Sequence, residues 1–174
     1  MVDGQQIGSS PLTGHAGSVE TVATLEIDGQ PAAVTGSEDS TVRVWSLSNS
    51  RQIGASLSDE VYGVWGVSAI EIHGRPQVVT GNGYCSVRPC DLTDGVQIGE
   101  PLIAHTSDVW AVTIERAWGR PSRVLTVSED GAIRMWDIPN AREVTVAPGS
   151  QVLVGFSNEI ALLTLPSSNP LHDQ

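Results

Sequence analysis

The sequence is poor in basic side chains, aromatic side chains and long apolar runs. Its 174 residues carry 9 Lys and Arg against 20 Asp and Glu, which gives a net charge of −11. Because a surface this acidic repels phosphate backbones and anionic lipids, we expect no nucleic-acid partner and no membrane partner. The longest apolar run begins at Ile160 and has only the length of a strand. A membrane span needs ~18 residues, and the polar N-terminus predicts no signal peptide.

Cysteine is also scarce, and the two thiols are badly placed to pair. Cys85 and Cys90 lie in one predicted strand, so they stand ~16 Å apart on opposite faces. A disulfide requires Cα atoms within ~7 Å of each other. We therefore expect two free thiols and a reducing, cytoplasmic setting.

The abundant residue types are those of turns and strands. Glycine (18) and proline (10) accompany short runs of Val, Thr and Ile, a composition typical of an all-β chain. Two markers recur with nearly the same period. The glycines of one turn follow each other at steps of 45 (74 − 29 and 119 − 74), and QIG triplets recur at similar steps. The residues are Gly29, Gly74 and Gly119 for the turn, and Gly8, Gly54 and Gly99 for the triplets. The chain therefore contains an internal repeat.

Each period predicts four strands joined by hairpin-length turns. The predicted units lie within residues 1–166, followed by a flexible tail at 167–174. Their bounds are 4–56, 57–101, 102–141 and a partial fourth unit at 142–165. The strand REVTVAP, which begins at Arg142, is expected to be the innermost strand of this partial unit. That assignment leaves the third unit without an outer strand.

Four residue types keep fixed offsets in the first and third repeats. They are His15, Ser37, Asp39 and Trp45, and then His105, Ser128, Asp130 and Trp136. Trp136 also begins a WD dipeptide. Over about residues 4 to 165 the chain resembles the WD40 family of β-propellers, in particular bacterial WD40 arrays, which are often attached to signalling NTPases or kinases. The resemblance implies an all-β fold with three four-stranded blades and a partial fourth, in an incomplete or small propeller.

The resemblance assigns these residues to a structural network. An indole N–H can donate to the Ser hydroxyl, the hydroxyl can bond the imidazole, and the imidazole can bond the turn Asp, so each buried polar group gains a partner. A catalytic Ser–His–Asp cluster is the alternative, but the set recurs in two repeats and lacks a nucleophile elbow. We expect no catalytic residue and no cofactor. We expect no metal site either, because His15 and His105 have no Cys or His partner at ligand spacing.

The resemblance also indicates where a partner would bind. Positions that often face the top of WD40 propellers are here Glu20, Trp65 and Trp110, together with Ser18, Asp108, Glu38 and Glu129. Two Trp side chains ringed by carboxylates suit a basic, partly apolar protein or peptide. The alternative is that both Trp side chains pack between blades as core.

The second repeat departs from the pattern. Asn82, Tyr84 and Cys90 replace the Ser, Asp and Trp, and Glu60 stands at the His position. Pro89 is expected to remove a ladder N–H from an interior strand. We therefore predict that all four network members are lost and that this blade is softer than its neighbours.

Four blades are few for a closed WD40 ring. The N-terminal strand Gln5–Gly8 could fasten a small strained ring; otherwise two chains associate, or the chain belongs to a longer propeller. The leading functional hypothesis is a non-catalytic scaffold for protein–protein contacts. The second is a fragment or sensor part of a larger WD40 signalling protein without independent activity, and the third is a propeller-type hydrolase.

Overall fold

The structure is a computed structural model that describes residues 11–58, 62–115 and 123–137, and the strands at 142–144, 151–156 and 159–164. Every regular element in these residues is a β-strand. No helix long and apolar enough to cross a membrane occurs among them. The fold is therefore all-β over the described part of the chain.

Three four-stranded antiparallel sheets and one hairpin follow each other along the chain. The first sheet contains β1 (Val19–Ile27), β2 (Gln30–Ser37), β3 (Thr41–Ser46) and β4 (Arg51–Ser58). The second contains β5 (Val64–Ile72), β6 (Arg75–Asn82), β7 (Ser86–Asp91) and β8 (Leu102–Ile103). The third contains β9 (Val109–Glu115), β10 (Arg123–Ser128), β11 (Ile133–Asp137) and β12 (Arg142–Val144). The hairpin consists of β13 (Gln151–Phe156) and β14 (Glu159–Thr164). We call the three sheets blades one, two and three.

The strand that begins at Arg142 corrects the sequence prediction. Strand β12 pairs antiparallel with β11, with Asp137 opposite Arg142 and Met135 opposite Val144. It is therefore the outer strand of blade three and not the innermost strand of a fourth blade. The sequence prediction was wrong because the connection from the WD dipeptide is short, and a short connection suits an adjacent antiparallel strand. The predicted strand Gln5–Gly8 and the tail at 167–174 lie outside the described residues.

The first two turn glycines occupy two-residue hairpin turns. Asp28 and Gly29 have φ of 50° and 70°, and His73 and Gly74 have φ of 52° and 76°. Positive φ at both central residues defines the type I′ turn, whose twist matches that of the flanking strands. The register across each turn is correspondingly regular, from Ile27 opposite Gln30 upward. The sequence prediction of hairpins at these two sites is confirmed.

Valine-rich faces pack the blades against each other. Val34 and Val44 of blade one and Val64 and Val78 of blade two share one buried cluster. A second cluster joins blades two and three, and it includes Trp136. The blades approach closely where β2 has Gly36, since a Cβ built there would lie only 2.5 Å from Val64 Cγ1. The core is therefore divided into layers between successive blades.

Pro89 does less damage than the sequence suggests. Its carbonyl accepts a hydrogen bond from the Ile98 N–H at 2.8 Å, so its backbone polar groups face the outer edge of β7. In a strand the N–H and C=O of one residue point to the same side. The missing N–H therefore lies away from β6, and the β6–β7 register continues unbroken past Pro89. The N–H that Pro89 lacks is therefore on the side of Ile98, and the pairing of β7 with β6 is not affected.

Candidate functional site

A buried polar network links the loop before blade one to its second and third strands. The Trp45 indole N–H donates to Thr35 Oγ1 at 2.8 Å, and Thr35 Oγ1 lies 2.8 Å from His15 Nε2. His15 Nδ1 lies 3.1 Å from the nearer carboxylate oxygen of Asp39. A carboxylate can only accept, so Nδ1 carries the proton and Nε2 accepts from the threonine hydroxyl. Each member of the network thereby has a partner.

Blade three repeats this network with the same geometry. The Trp136 indole N–H donates to Thr126 Oγ1 at 2.9 Å, and Thr126 Oγ1 lies 2.8 Å from His105 Nε2. His105 Nδ1 lies 2.9 Å from Asp130 Oδ2. Thr126 is completely buried, and His105 is only 4% exposed. The two networks therefore lock two loops onto two blades away from solvent.

The hydroxyl at the centre of each network belongs to threonine, which corrects the prediction of Ser37 and Ser128. Ser37 Oγ accepts instead from the Asp39 backbone N–H at 3.1 Å. Ser128 Oγ accepts from the Asp130 N–H and donates to the Ser107 carbonyl. The physical reason is the register of β2 and β3. Thr35 lies opposite Arg43, two residues from Trp45, so its hydroxyl is a diagonal neighbour of the indole. Ser37 is two residues farther along β2 and lies out of reach. The serines shape the tight turn.

Each turn aspartate is held strongly in its ionised form. Burial alone raises the pKa of Asp39, but the Thr41 hydroxyl, the Ala16 N–H and the His15 imidazole donate to the carboxylate and hold its pKa well below the ordinary value of 3.8. Burial likewise opposes the charge of Asp130. The Thr106 N–H, the His105 imidazole and the Ala132 N–H outweigh it and lower the pKa of that carboxyl.

Blade two keeps the threonine and builds a different network around Asn82. Thr80 stands where blades one and three have Thr35 and Thr126, and its hydroxyl donates to the Arg88 carbonyl at 3.3 Å. Asn82 is completely buried. Its Oδ1 accepts from the Tyr84 N–H at 3.0 Å and from the Ser86 hydroxyl at 3.0 Å. Three network members are therefore replaced and one is retained, so the expectation that all four are lost was wrong.

The predicted partner-binding residues lie at one end of the blades, which we call the top face. It contains the starts of the innermost strands and the turns between second and third strands. The structure places Ser18, Glu20, Glu38, Trp65, Asp108, Trp110 and Glu129 there. Backbone hydrogen bonds of 3.0 Å tie the turns to the strand starts, from the Glu38 N–H to the Ser18 carbonyl and from the Glu129 N–H to the Asp108 carbonyl. Ser18, Glu20, Glu38 and Glu129 are exposed, and Asp108 is half-buried.

The two tryptophans of the top face differ in exposure. Trp110 is 47% exposed. Trp65 is mostly buried, and its indole N–H is enclosed beneath Gly83, whose built Cβ would stand 3.1 Å from that nitrogen. Trp110 therefore has the accessibility that a contact residue needs, whereas Trp65 supports the surface from below.

Two exposed aromatic residues of the top face escaped the sequence analysis. Tyr62 is 67% exposed and Tyr84 is 63% exposed. Their rings stack with centroids 5.8 Å apart and planes inclined by 13°. The sequence identifies Tyr84 only as the residue that replaces the turn aspartate. The signal for the pair is that both tyrosines of the chain fall in neighbouring loops of one repeat.

Within the described ranges, no group of three or more His, Cys, Asp and Glu side chains is arranged to hold a metal ion. Cys85 and Cys90 are not joined in a disulfide. Cys85 lies in the tight turn before β7 with φ of 60°, rather than within the strand.

Comparison with known proteins agrees with the blades and their networks. No curated protein matches the chain. The family described as WD domain, G-beta repeat matches residues 4–46 and 96–137, the stretches that carry the two complete networks. WD40 repeats generally mediate protein–protein interactions and are generally non-catalytic. The chain belongs to the WD40-repeat family, and its four-stranded sheets are WD40 blades in an incomplete propeller.

Proposed function

We propose that this chain is a non-catalytic interaction scaffold whose top face binds a protein or peptide. The observation that carries the proposal is the 47% exposure of Trp110 on a face that also displays carboxylates. Large aromatic side chains left in contact with water are common anchors of protein interfaces. Trp110 lies at the second residue of β9, where Asp108 and the turn at Glu129 adjoin it.

The networks support a structural role rather than catalysis. Each contains a hydroxyl, an imidazole and a carboxylate, the groups of a hydrolytic triad. The hydroxyls of Thr35 and Thr126 are buried and already accept an indole N–H, so a substrate cannot reach them. The hydroxyls of Ser37 and Ser128 serve their own turns. Propeller-type hydrolysis is therefore the least supported function.

The charge of the chain favours a basic partner. The net charge is −11, and Glu20, Glu38 and Glu129 present exposed carboxylates on the top face. Opposite charge on a partner accelerates encounter and fixes orientation more than it adds affinity. Nucleic acids and anionic membranes are negatively charged like the chain, so electrostatic repulsion disfavours both as partners. Cys85 and Cys90 form no disulfide with each other, which is compatible with a reducing, cytoplasmic setting, and we include that setting in the proposal.

The test compares two tryptophan variants in partner capture and thermal melting. Trp110→Ala should leave the melting temperature nearly unchanged and lower the affinity for captured partners about tenfold or more. Trp65→Ala should destabilise the fold by about 2 kcal/mol or more, since its ring is mostly buried. Leu47→Ala is the matched control, because Leu47 is 48% exposed but lies away from the top face. Equal affinity of wild type and Trp110→Ala for every captured partner would contradict the proposal.

A second candidate function follows from the exposure of Val22. Val22 is 65% exposed in β1, whereas Val67, its equivalent in β5, is 5% exposed. Blade one covers Val67, and no described residue covers Val22 to the same extent. The chain would then function as part of a larger ring. The ring would be completed by a second copy of the chain, or by further blades of a larger WD40 signalling protein that is associated with an NTPase or a kinase.

A further inference from the structure

The stacked tyrosines form the largest exposed aromatic feature in the described part of the top face. Tyr62 and Tyr84 are each more than 60% exposed, and they stack on each other with little other cover. We call this pair the tyrosine platform. Aromatic residues make up only 5% of the chain, and both of its tyrosines stand here. Exposed aromatic surface of this kind marks interaction sites in folded proteins.

The local sequence of blade two turns both rings outward. In blades one and three the turn aspartate reaches inward to a histidine of the preceding loop. Tyr84 occupies that turn position, where its ring turns toward solvent. Its backbone N–H donates to Asn82 Oδ1 at 3.0 Å, which anchors the turn to the end of β6. The substitution that removed a network member therefore created one half of the platform.

The loop before blade two is reset by one residue to supply the other half. The carbonyl that accepts from the turn N–H belongs to Ser18 in blade one and Asp108 in blade three. By repeat position the equivalent in blade two is Gly63, but Tyr62 provides the carbonyl, at 3.0 Å from the Gly83 nitrogen. Tyr62 has φ of 52°, an unfavourable conformation for a bulky residue. Such an outlier, held by its surroundings, points to a local role.

The turn that carries the exposed Glu38 adjoins the loop that carries Tyr62. The Gly63 N–H donates to Ser40 Oγ at 3.0 Å, which ties the platform loop to the turn of blade one. A Cβ built on Gly63 would stand 3.6 Å from Glu38 Cα, and Glu38 is exposed. The site thus combines aromatic faces with negative charge. The face of an aromatic ring attracts cations, and a planar guanidinium stacks on it as well.

We propose that the tyrosine platform and Glu38 bind a cationic side chain of the partner, with arginine preferred over lysine. This inference rests on the proposed function, because it names the chemistry by which the top face selects a peptide. The chain itself contains no lysine; all nine of its Lys and Arg residues are arginines.

The first experiment measures binding of labelled nona-arginine, nona-lysine and nona-citrulline to the full chain at low and high salt. We expect the order arginine, lysine, citrulline, and an arginine preference that persists when salt screens the general attraction. Tyr84→Ala should weaken nona-arginine binding about threefold to fivefold, and Tyr84→Phe should restore it. Tyr62→Gly, which suits the positive φ, should weaken binding similarly.

The second experiment locates the contact by zero-length carbodiimide cross-linking to nona-lysine. Because the chain lacks lysine, its carboxylates can be linked only to amines of the probe or to its own N-terminus. We expect the cross-link at Glu38 to dominate and to disappear in Glu38→Gln. Cross-links spread evenly over the acidic residues would overturn the inference.

The outcomes separate this inference from the proposed function. Equal nona-arginine affinity in wild type and Tyr84→Ala, with weaker binding in Trp110→Ala, would overturn the platform and leave the proposed function standing. Failure of every cationic probe to bind would also overturn the platform. Capture of partners by wild type but not by Trp110→Ala would then decide the proposed function independently.

Discussion

Threonine hydroxyls hold together the loop and strands of two blades. Thr35 and Ser37 lie on the same face of β2, since side chains alternate along a strand, and both can accept an indole N–H. Composition alone therefore favours neither. The register does decide, because Ala33 lies opposite Trp45 and makes Thr35 its diagonal neighbour. The threonine can be identified from the sequence if the β2–β3 residue pairs are counted from the tight turn. Residue type and sequence spacing alone do not identify it.

Removing the threonine hydroxyl should cost more in blades one and three than in blade two. Thr35→Val leaves the Trp45 indole and the His15 imidazole without their partner, so we expect a loss of about 2–4 kcal/mol in unfolding free energy. Thr126→Val should behave alike. Thr80→Val is the matched control, since Thr80 is also buried and its hydroxyl donates to the Arg88 carbonyl at 3.3 Å instead of linking an indole to an imidazole. Its loss should stay below about 1 kcal/mol, and equal losses in urea unfolding of all three variants would contradict this account.

The two turn aspartates should make stability depend on acid pH. The folded pKa of Asp39 and of Asp130 lies below the ordinary value of 3.8. The unfolded chain therefore takes up these protons first as pH falls. The stabilisation is complete above about pH 5 and is lost progressively as the pH falls below that value. Urea midpoints measured through this range should fall less steeply in Asp39→Asn, and least in the double variant with Asp130→Asn. An unchanged slope in the double variant would show that these carboxylates do not govern the acid response.

At the scale of strands and turns, the repeat predicted most of the architecture. The turn glycines and the apolar runs located β1, β2, β5 and β6 because hairpin turns and strand alternation are local properties. The outer strands were harder to predict. Their pairing depends on where the chain lies after each blade, as the misassigned β12 shows. Blade two was misjudged because the sequence reveals which residues are missing but not which side chains replace them.

Asn82 should be the residue on which the turn of blade two depends. Its side-chain oxygen accepts from the Tyr84 N–H, the Ser86 N–H and the Ser86 hydroxyl. Asn82→Ala strands these buried donors, so we expect a loss of about 2–4 kcal/mol. Asn82→Asp retains the acceptor and is the control. Hydrogen exchange at residues 80 to 92 should accelerate in Asn82→Ala and stay slower in Asn82→Asp.

The same measurement tests whether blade two is softer than blade one. In blade one, His15 ties the preceding loop to the turn at Asp39. In the described residues of blade two, no histidine makes such a link. We therefore expect faster exchange in residues 80 to 92 than in 35 to 47 of the wild-type chain, with the difference concentrated in the turn rather than in β6 and β7. Equal protection of the two stretches would show that the Asn82 network fully replaces the other.

At the scale of the whole molecule, the exposed face of β1 predicts association. Val22 faces solvent where the equivalent Val67 is covered by the preceding blade, and Val19 is also 55% exposed. Uncovered ends of repeat arrays favour stacking with another array. We expect sedimentation of the wild-type chain to show species heavier than one chain that increase with concentration. Val22→Glu should shift the distribution toward the single chain, because a carboxylate opposes burial of that face.

The control for this prediction is Leu47→Glu, which places the same charge on another exposed apolar residue, 48% exposed, away from the β1 face. It should sediment like wild type, so that an effect of Val22→Glu reports on the face and not on added charge. A wild-type chain that sediments as a clean monomer and melts cooperatively would contradict association. In that case a single chain would be stable with Val22 exposed to solvent. The second candidate function, a role as part of a larger ring, would then be excluded.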